Sequence, residues 1–326
     1  MPAVETVRGP VDVADLGRTL MHEHVFVVSA EHMANYGAGA WWDEEERVAD
    51  AVARLRELRD LGVTTIADPT VWGIGRYVPR IQRIAEQVPG LNIIVATGLY
   101  TYNDVPFPYL HRAPGALLDG PDPMVADFVR DLTEGIADTG VKAAFLKCAV
   151  DAPGLTQGVE RVLRAVAAAH RETGAPITVH THSPSEAGRP VLEILGAEGV
   201  DLTKVVVGHA GDSNDLDYLA ALADTGAILG MDRFGLDLLN PTADRVATIA
   251  ALCERGYADR MVLSHDASCY IDWFGPDPES LRELAPNWHY RHISDDVLPA
   301  LRAAGVTDAQ IDQMLVANPR RYFSAR

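Results

Sequence analysis

Cysteine is scarce in this chain: 326 residues carry three, Cys148, Cys253 and Cys269, and none stands in a CxxC spacing. That rules out a disulfide framework and a thiolate zinc site and suits a reducing compartment. Residues 1–20 lack a basic start followed by an apolar stretch, so no signal peptide is expected and the cytoplasm is the expected location. Positive charge is short as well. The 28 Lys and Arg face 46 Asp and Glu, a formal net charge of -18, and no Lys/Arg run occurs. Duplex binding requires clustered cations that displace counterions, so nucleic acid is excluded as a partner, and an anionic membrane surface with it. No run of roughly 18 apolar residues is present to span a bilayer. The chain is nonetheless 48% hydrophobic, enough for a large core, and its charge suits neutral or cationic small molecules.

Short apolar, β-rich runs recur along the whole length. They are Arg18–Phe26, Val63–Thr70, Asn92–Tyr100, Ala143–Asp151, Pro176–Ser183, Val205–Asp212, Ala227–Arg233 and Met261–Ser268. Most are continuously apolar at the start, as expected of a parallel strand buried on both faces. Segments of helical period lie between them. Glu44–Leu61 sets Val48, Ala51, Val52, Leu55 and Leu58 on one stripe, and Gln157–Thr173 does the same with Val159, Val162, Leu163, Val166 and Ala167. Gly62, Gly140, Gly174 and Gly226, each ahead of a strand, read as helix C-termini. Eight strand–helix units without a composition break predict an α/β fold, a single-domain (β/α)8 TIM barrel over residues 1–326, since such barrels run past ~250 residues as one domain. Residues 1–17 are expected to cap the bottom, residues 267–290 to form a long substrate loop after strand eight, and the tail after Leu298 to supply closing helices. An open doubly wound sheet is the alternative. The GxGxxG it would carry after its first strand is missing, since that strand ends in HEHVF.

Active sites of such barrels are built at the C-terminal ends of the strands, and the ionisable residues gather there. His22 and His24 share a face of strand one because side-chain direction alternates with period two. Strand four ends with Lys147, strand five with His180 and His182, strand six with His209, and strand eight with His265 and Asp266. Taken singly, each has a structural reading: a hydrogen-bonded histidine, an ion-paired lysine, a capping aspartate. An apolar barrel has little structural reason to bring them all to one rim, and together they read as a metal site. Neutral imidazole suits zinc, iron and cobalt, while carboxylate oxygens complete a shell and can bridge. Lys147 is the odd member, because an ammonium has no lone pair to give a metal.

The HxH of strand one, the lone Lys of strand four, the His of strands five and six and the Asp of strand eight resemble the amidohydrolase superfamily. More narrowly, MHEH (Met21–His24), FLKCA (Phe145–Ala149), VHTH (Val179–His182), GHAGD (Gly208–Asp212), GMDRFGLD (Gly230–Asp237) and LSHD (Leu263–Asp266) look like the phosphotriesterase family, in order and over nearly the whole chain. ASCYIDWFG (Ala267–Gly275) and ANPRRYF (Ala317–Phe323) are similar to its lactonase branch, the phosphotriesterase-like lactonases. The resemblance implies two divalent metal ions, zinc first with iron, cobalt or manganese as alternatives, roughly 3.5–4 Å apart with a bridging hydroxide. It implies that His22, His24 and Asp266 hold a buried ion, that His180 and His209 hold an outer one, and that Lys147, carboxylated to N6-carboxylysine, bridges both. It selects His180 over His182 and makes His265 a wall residue. Asp266 would accept the proton as the hydroxide attacks. Tyr100 would sit over the metals and contact the substrate, and Arg233 would link the rim to the substrate loop. Relatives of this kind are typically homodimers.

Two features bear on which bond is cut. The short stretch Phe234–Pro241 separates strand seven from its helix, where dedicated phosphotriesterases carry a longer insertion. The segment after strand eight is long and apolar, with Tyr270, Ile271, Trp273, Phe274, Leu284 and Trp288. Such a segment suits an acyl chain, with a dimer contact as the other reading, and Trp273 is the residue expected nearest the substrate. The expected activity is hydrolysis of lactones, N-acyl homoserine lactones (quorum quenching) among them, with weaker activity on organophosphate triesters. The alternatives are a primary phosphotriesterase (aryldialkylphosphatase) and a barrel that binds metal without turnover. Asp266 and Lys147, both present, speak against the last.

Overall fold

Eight parallel strands pack side by side in chain order: β1 Thr19–Leu20, β2 Thr65–Asp68, β3 Asn92–Gly98, β4 Phe145–Val150, β5 Ile177–Thr181, β6 Val205–Gly208, β7 Ile228–Met231 and β8 Met261–Leu263. The computed structural model describes residues 2–36, 43–274 and 278–324. The Met21 amide, donating to the Leu263 carbonyl at 3.4 Å, brings the end of β1 back to β8. The result is a nearly closed (β/α)8 barrel that forms one domain, as the alternation of strand and helix predicts. Strands β2, β4, β5, β6, β7 and β8 are buried at every residue. That is why they read in the sequence as continuous apolar runs without a period of two.

The helices close the outer layer. Helix Glu44–Asp60 buries the expected stripe from Val48 to Leu58, and Asp43 caps it by accepting from the Glu46 amide. Helix Gln157–Thr173 starts on the Thr156 hydroxyl and stops at Gly174, which adopts the left-handed φ of 71°. Inside the barrel, Met21, Ala67, Ile94, Phe145, Val206 and Val262 form one cluster with Tyr322 and Phe323 of the C-terminal helix Asn318–Phe323. Val4, Val13 and Leu16, from the N-terminal segment, belong to the same cluster. Among the described residues, no helix is long and apolar enough to cross a membrane.

Two expected strands are each interrupted. Arg18–Phe26 gives β1, a bend at Met21–His22, and a separate strand His24–Val27. Met261–Ser268 gives β8 and then, further on, a strand Ser268–Ile271, and the two outer pieces pair in parallel, Ser268 opposite His24. At the break, side chains replace ladder hydrogen bonds. The His22 amide donates to Ser264 Oγ at 2.8 Å. The buried Glu23 carboxylate accepts from Ser264 Oγ, from His265 Nδ1 and from the amides of His265 and Ala267. The segment 267–290 is therefore not a bare loop. It holds the strand Ser268–Ile271 and the helix Pro278–Leu284, while residues 275–277 within it lie outside the described residues.

Candidate metal centre and active site

Four imidazoles at the barrel rim tie one nitrogen to an oxygen and turn the other inward. His22 Nδ1 lies 2.9 Å from Asp232 Oδ2, and His24 Nδ1 lies 2.7 Å from Thr70 Oγ1. His180 Nε2 lies 2.5 Å from Asp151 Oδ2, and His209 Nδ1 lies 2.9 Å from Asp232 Oδ1. The inward nitrogens converge. His22 Nε2 and His24 Nε2 stand 3.3 and 3.2 Å from Asp266 Oδ1, and His209 Nε2 stands 2.9 Å from His180 Nδ1. Lys147 Nζ, wholly buried, is 3.3 Å from His22 Nε2. Anchoring the outer nitrogen fixes both the tautomer and the orientation of a ring, which is how metal-ligating histidines are held.

Burial lowers the pKa of His22 and His209 and brings His180 to about 4, so the rings are neutral and their inward nitrogens carry lone pairs. Lone pairs 2.9 Å apart on His180 and His209 repel, and a cation placed between such donors removes the repulsion. Burial pushes the Asp266 carboxyl up, but its polar partners, the Arg233 guanidinium among them, outweigh it and hold the group well below the usual carboxylate range. Burial also brings the Lys147 amine down to about 8, against the opposing pull of Asp266 and Asp232. Neutral imidazoles, an ionised carboxylate and a buried amine with a reachable neutral form are a donor set that fits divalent metal ions. His22, His24 and Asp266 form one cluster able to hold an ion.

The backbone is strained where this chemistry sits. His209 and Asp266 adopt left-handed φ values of 64° and 54°, a conformation that non-glycine residues seldom take and that costs of order 1–3 kcal/mol. Lys147 reaches the centre because β3 and β4 touch at Gly98. A Cβ there would lie 1.9 Å from the Lys147 carbonyl oxygen.

Arg233 and Tyr100 flank the cluster. Arg233 Nε donates to Asp266 Oδ2 at 2.9 Å, and its Nη1 donates to Asp212 Oδ2 at 3.0 Å. Tyr100 OH lies 3.1 Å from His180 Nδ1 and 2.6 Å from Tyr102 OH. Above them opens a cavity of about 270 Å³ lined by His22, His24, His180, His209, Asp266, Tyr100 and Arg233 at its floor. Its walls are apolar: Leu236, Leu238 and Leu239 after β7, and Ile271, Trp273, Phe274, Leu284 and Trp288 after β8. The Trp273 ring stands 6.3 Å from that of Tyr100 and is half exposed.

Two histidines stay outside. His182 follows the end of β5, so strand parity no longer applies to it, and its Nδ1 pairs with Ser185 Oγ at 3.0 Å. His265 is fully buried with both ring nitrogens engaged, Nδ1 with Glu23 and Nε2 by the Ile293 amide. Reading the sequence missed Asp232, Asp151, Thr70, Glu23, Asp212 and Tyr102. Asp232 is the one with a visible signal, since it directly follows β7 and stands beside Arg233 at the same rim.

A model of the phosphotriesterase family matches residues 2–323. The chain is 60% identical to a phosphotriesterase homology protein of Mycobacterium tuberculosis over 99% of this chain and 98% of that one. It is 38% identical to an aryldialkylphosphatase of Saccharolobus solfataricus over 96% and 97% of the two chains. Its fold superposes on the structure of the phosphotriesterase from Mycobacterium tuberculosis with a TM-score of 0.96 at 59% identity, covering 99% of this chain and 98% of the other.

Proposed function

Because this chain belongs to the phosphotriesterase family of binuclear metal-dependent hydrolases, we propose that it hydrolyses lactones, N-acyl homoserine lactones among them, and cleaves organophosphate triesters more weakly. The observation that carries this reading is the apolar-walled cavity set directly on the His and Asp cluster. A neutral ester with an acyl chain matches both halves of that site. Two divalent ions, zinc or alternatively iron, cobalt or manganese, would be held by His22, His24, Asp266, His180 and His209, with carboxylated Lys147 between them, and would activate water and polarise the scissile carbonyl.

The chain's own groups divide the remaining work. Asp266 takes the proton of the attacking water at its carboxylate. Arg233, donating to Oδ2, orients that carboxylate and is itself held in place by Asp212. When the carbon–oxygen bond of the ring breaks, the proton returns to the leaving ring oxygen, so the product is the open hydroxy acid. Burial and the Tyr102 hydroxyl hold the Tyr100 phenol well above its usual pKa. It therefore stays protonated and can donate a hydrogen bond to the substrate oxygen. Trp273 and the leucines after β7 exclude water from the acyl chain.

A second reading, a primary phosphotriesterase, is favoured by the aryldialkylphosphatase relative. The deciding experiment compares kcat/KM on a long-acyl lactone and on an aryl dialkyl phosphotriester, with metal content measured on the same samples of wild type and Lys147→Ala. Lactone preference, two metals in the wild type and fewer in the variant are expected. A triester preference would replace the first reading with the second, and full metal content in Lys147→Ala would remove the lysine bridge.

A further inference from the structure

The cavity's two apolar walls come from different strand ends. Leu236, Leu238 and Leu239 follow β7, while Phe274, Leu284 and Trp288 follow β8. Loops on separate strands move independently unless something joins them. Here the Gly235 backbone, at φ 96°, lies so close to residues 287–288 that a Cβ would stand 2.2 Å from the Asn287 carbonyl oxygen. Asp237 Oδ2 accepts from Asn287 Nδ2 at 2.7 Å. The other oxygen of Asp237 accepts from the Thr242 amide and hydroxyl at 2.8 and 2.7 Å, which pins it to the start of helix Thr242–Glu254. Thr242 Oγ1 in turn lies 2.9 Å from Nε2 of the buried His292. On the opposite side the Trp288 indole is anchored to the barrel rim, its Nε1 donating to the His265 carbonyl at 2.9 Å.

We infer that the Asp237–Asn287 contact is a specificity-determining clasp, which holds the two walls at fixed spacing and so selects esters with long apolar substituents over compact ones. The inference rests on reading the cavity as the substrate site, and not on which ester bond is cut. Dispersion contacts fall off steeply, a gap of about 0.5–1 Å forfeiting a quarter to a half of each. A chain lying along both walls therefore loses binding at every methylene when the walls part. A compact substrate, held at the His and Asp cluster, loses little. Neither Asp237 nor Asn287 lines the cavity, so both act through the walls.

The test assays wild type, Asn287→Ala, Asp237→Ala and the double variant on two series of rising chain length, N-acyl homoserine lactones and aryl dialkyl phosphotriesters. Metal content and melting temperature are recorded for each protein. The expected loss in kcat/KM grows with chain length to about tenfold, is carried by KM, and stays under about threefold for the shortest members. The double variant should be no worse than the poorer single one, because both remove the same contact. An unchanged chain-length dependence overturns the clasp, and so does an equal loss at every length, which is what a merely structural contact would give. If one single variant fails to fold, the other carries the test. A wild type that cuts triesters but no lactone overturns the lactonase reading alone, since the triester series still reads the clasp. A wild type inert on both series overturns both.

Discussion

At the scale of single residues, Asp232 is the group that links the two halves of the centre. Its two oxygens hold Nδ1 of His22 and Nδ1 of His209, and its backbone partner, the His209 amide, donates to it at 2.8 Å. Losing one carboxylate therefore frees two rings that belong to different ions in the proposed assignment. Asp232→Ala is expected to lower the affinity for both ions by about 10–100-fold, read by competition with a chromophoric chelator. A variant that keeps wild-type affinity for either ion would show that the ring concerned is held without it. The inward-facing His, Lys and Asp of the candidate centre were legible in the sequence because these residue types at strand ends are rare enough to stand out. Their supports were not. Asp232 reaches His22 across 210 positions, and neither Thr70 nor Asp151 differs in type from the many threonines and aspartates that only cap or solvate. Parity likewise held along β5 and gave no guidance at His182, one residue past its end.

At the scale of elements, β1 and β8 stop short where the site begins, and Glu23 is the reason the stop is orderly. Four donors meet its buried carboxylate, all from the Ser264–Ala267 turn that carries Asp266 at φ 54°. The hydrogen bonds offset the strain of that left-handed residue and set the direction of its side chain. Glu23→Gln keeps the volume but turns an amide NH2 toward groups that already donate. It should destabilise the fold by about 1–3 kcal/mol, seen as a lower urea midpoint with an unchanged slope, and weaken the ion bound by His22, His24 and Asp266. If the midpoint falls but metal affinity stays at the wild-type value, Glu23 supports the fold and not the site. The barrel itself was legible because strands buried on both faces leave continuous apolar runs, and the helix at 157–173 stops at Gly174, where the sequence places its C-terminus. The bends inside the first and last runs were not, because the Ser264 hydroxyl that ends the ladder at His22 comes from 242 residues away.

At the scale of the molecule, stability and chemistry occupy opposite ends of the barrel. The bottom is filled from both termini: Tyr322 and Phe323 pack with Val4, Val13 and Leu16 beneath the interior layer, and the Tyr322 hydroxyl meets Thr178 Oγ1 at 2.9 Å. The top carries two residues in strained conformations and a buried lysine, features that cost stability and serve the site. Tyr322→Ala removes a fully buried aromatic side chain and is expected to cost about 3–5 kcal/mol. Assayed well below its transition, the variant should keep two metals and near wild-type kcat/KM, because Tyr322 itself does not line the cavity. Asp266→Asn should act on turnover first. Asparagine tolerates the left-handed φ at position 266 but lacks the charge that Arg233 meets at 2.9 Å, so the metal-free protein should melt lower than wild type while losing the proton acceptor and nearly all turnover. The comparison is made by calorimetry on chelator-treated samples and kinetics on metal-loaded ones. A Tyr322→Ala protein that loses activity in proportion to its stability, at a temperature where it is fully folded, would mean that the two ends of the barrel are mechanically coupled and that the separation drawn here does not hold.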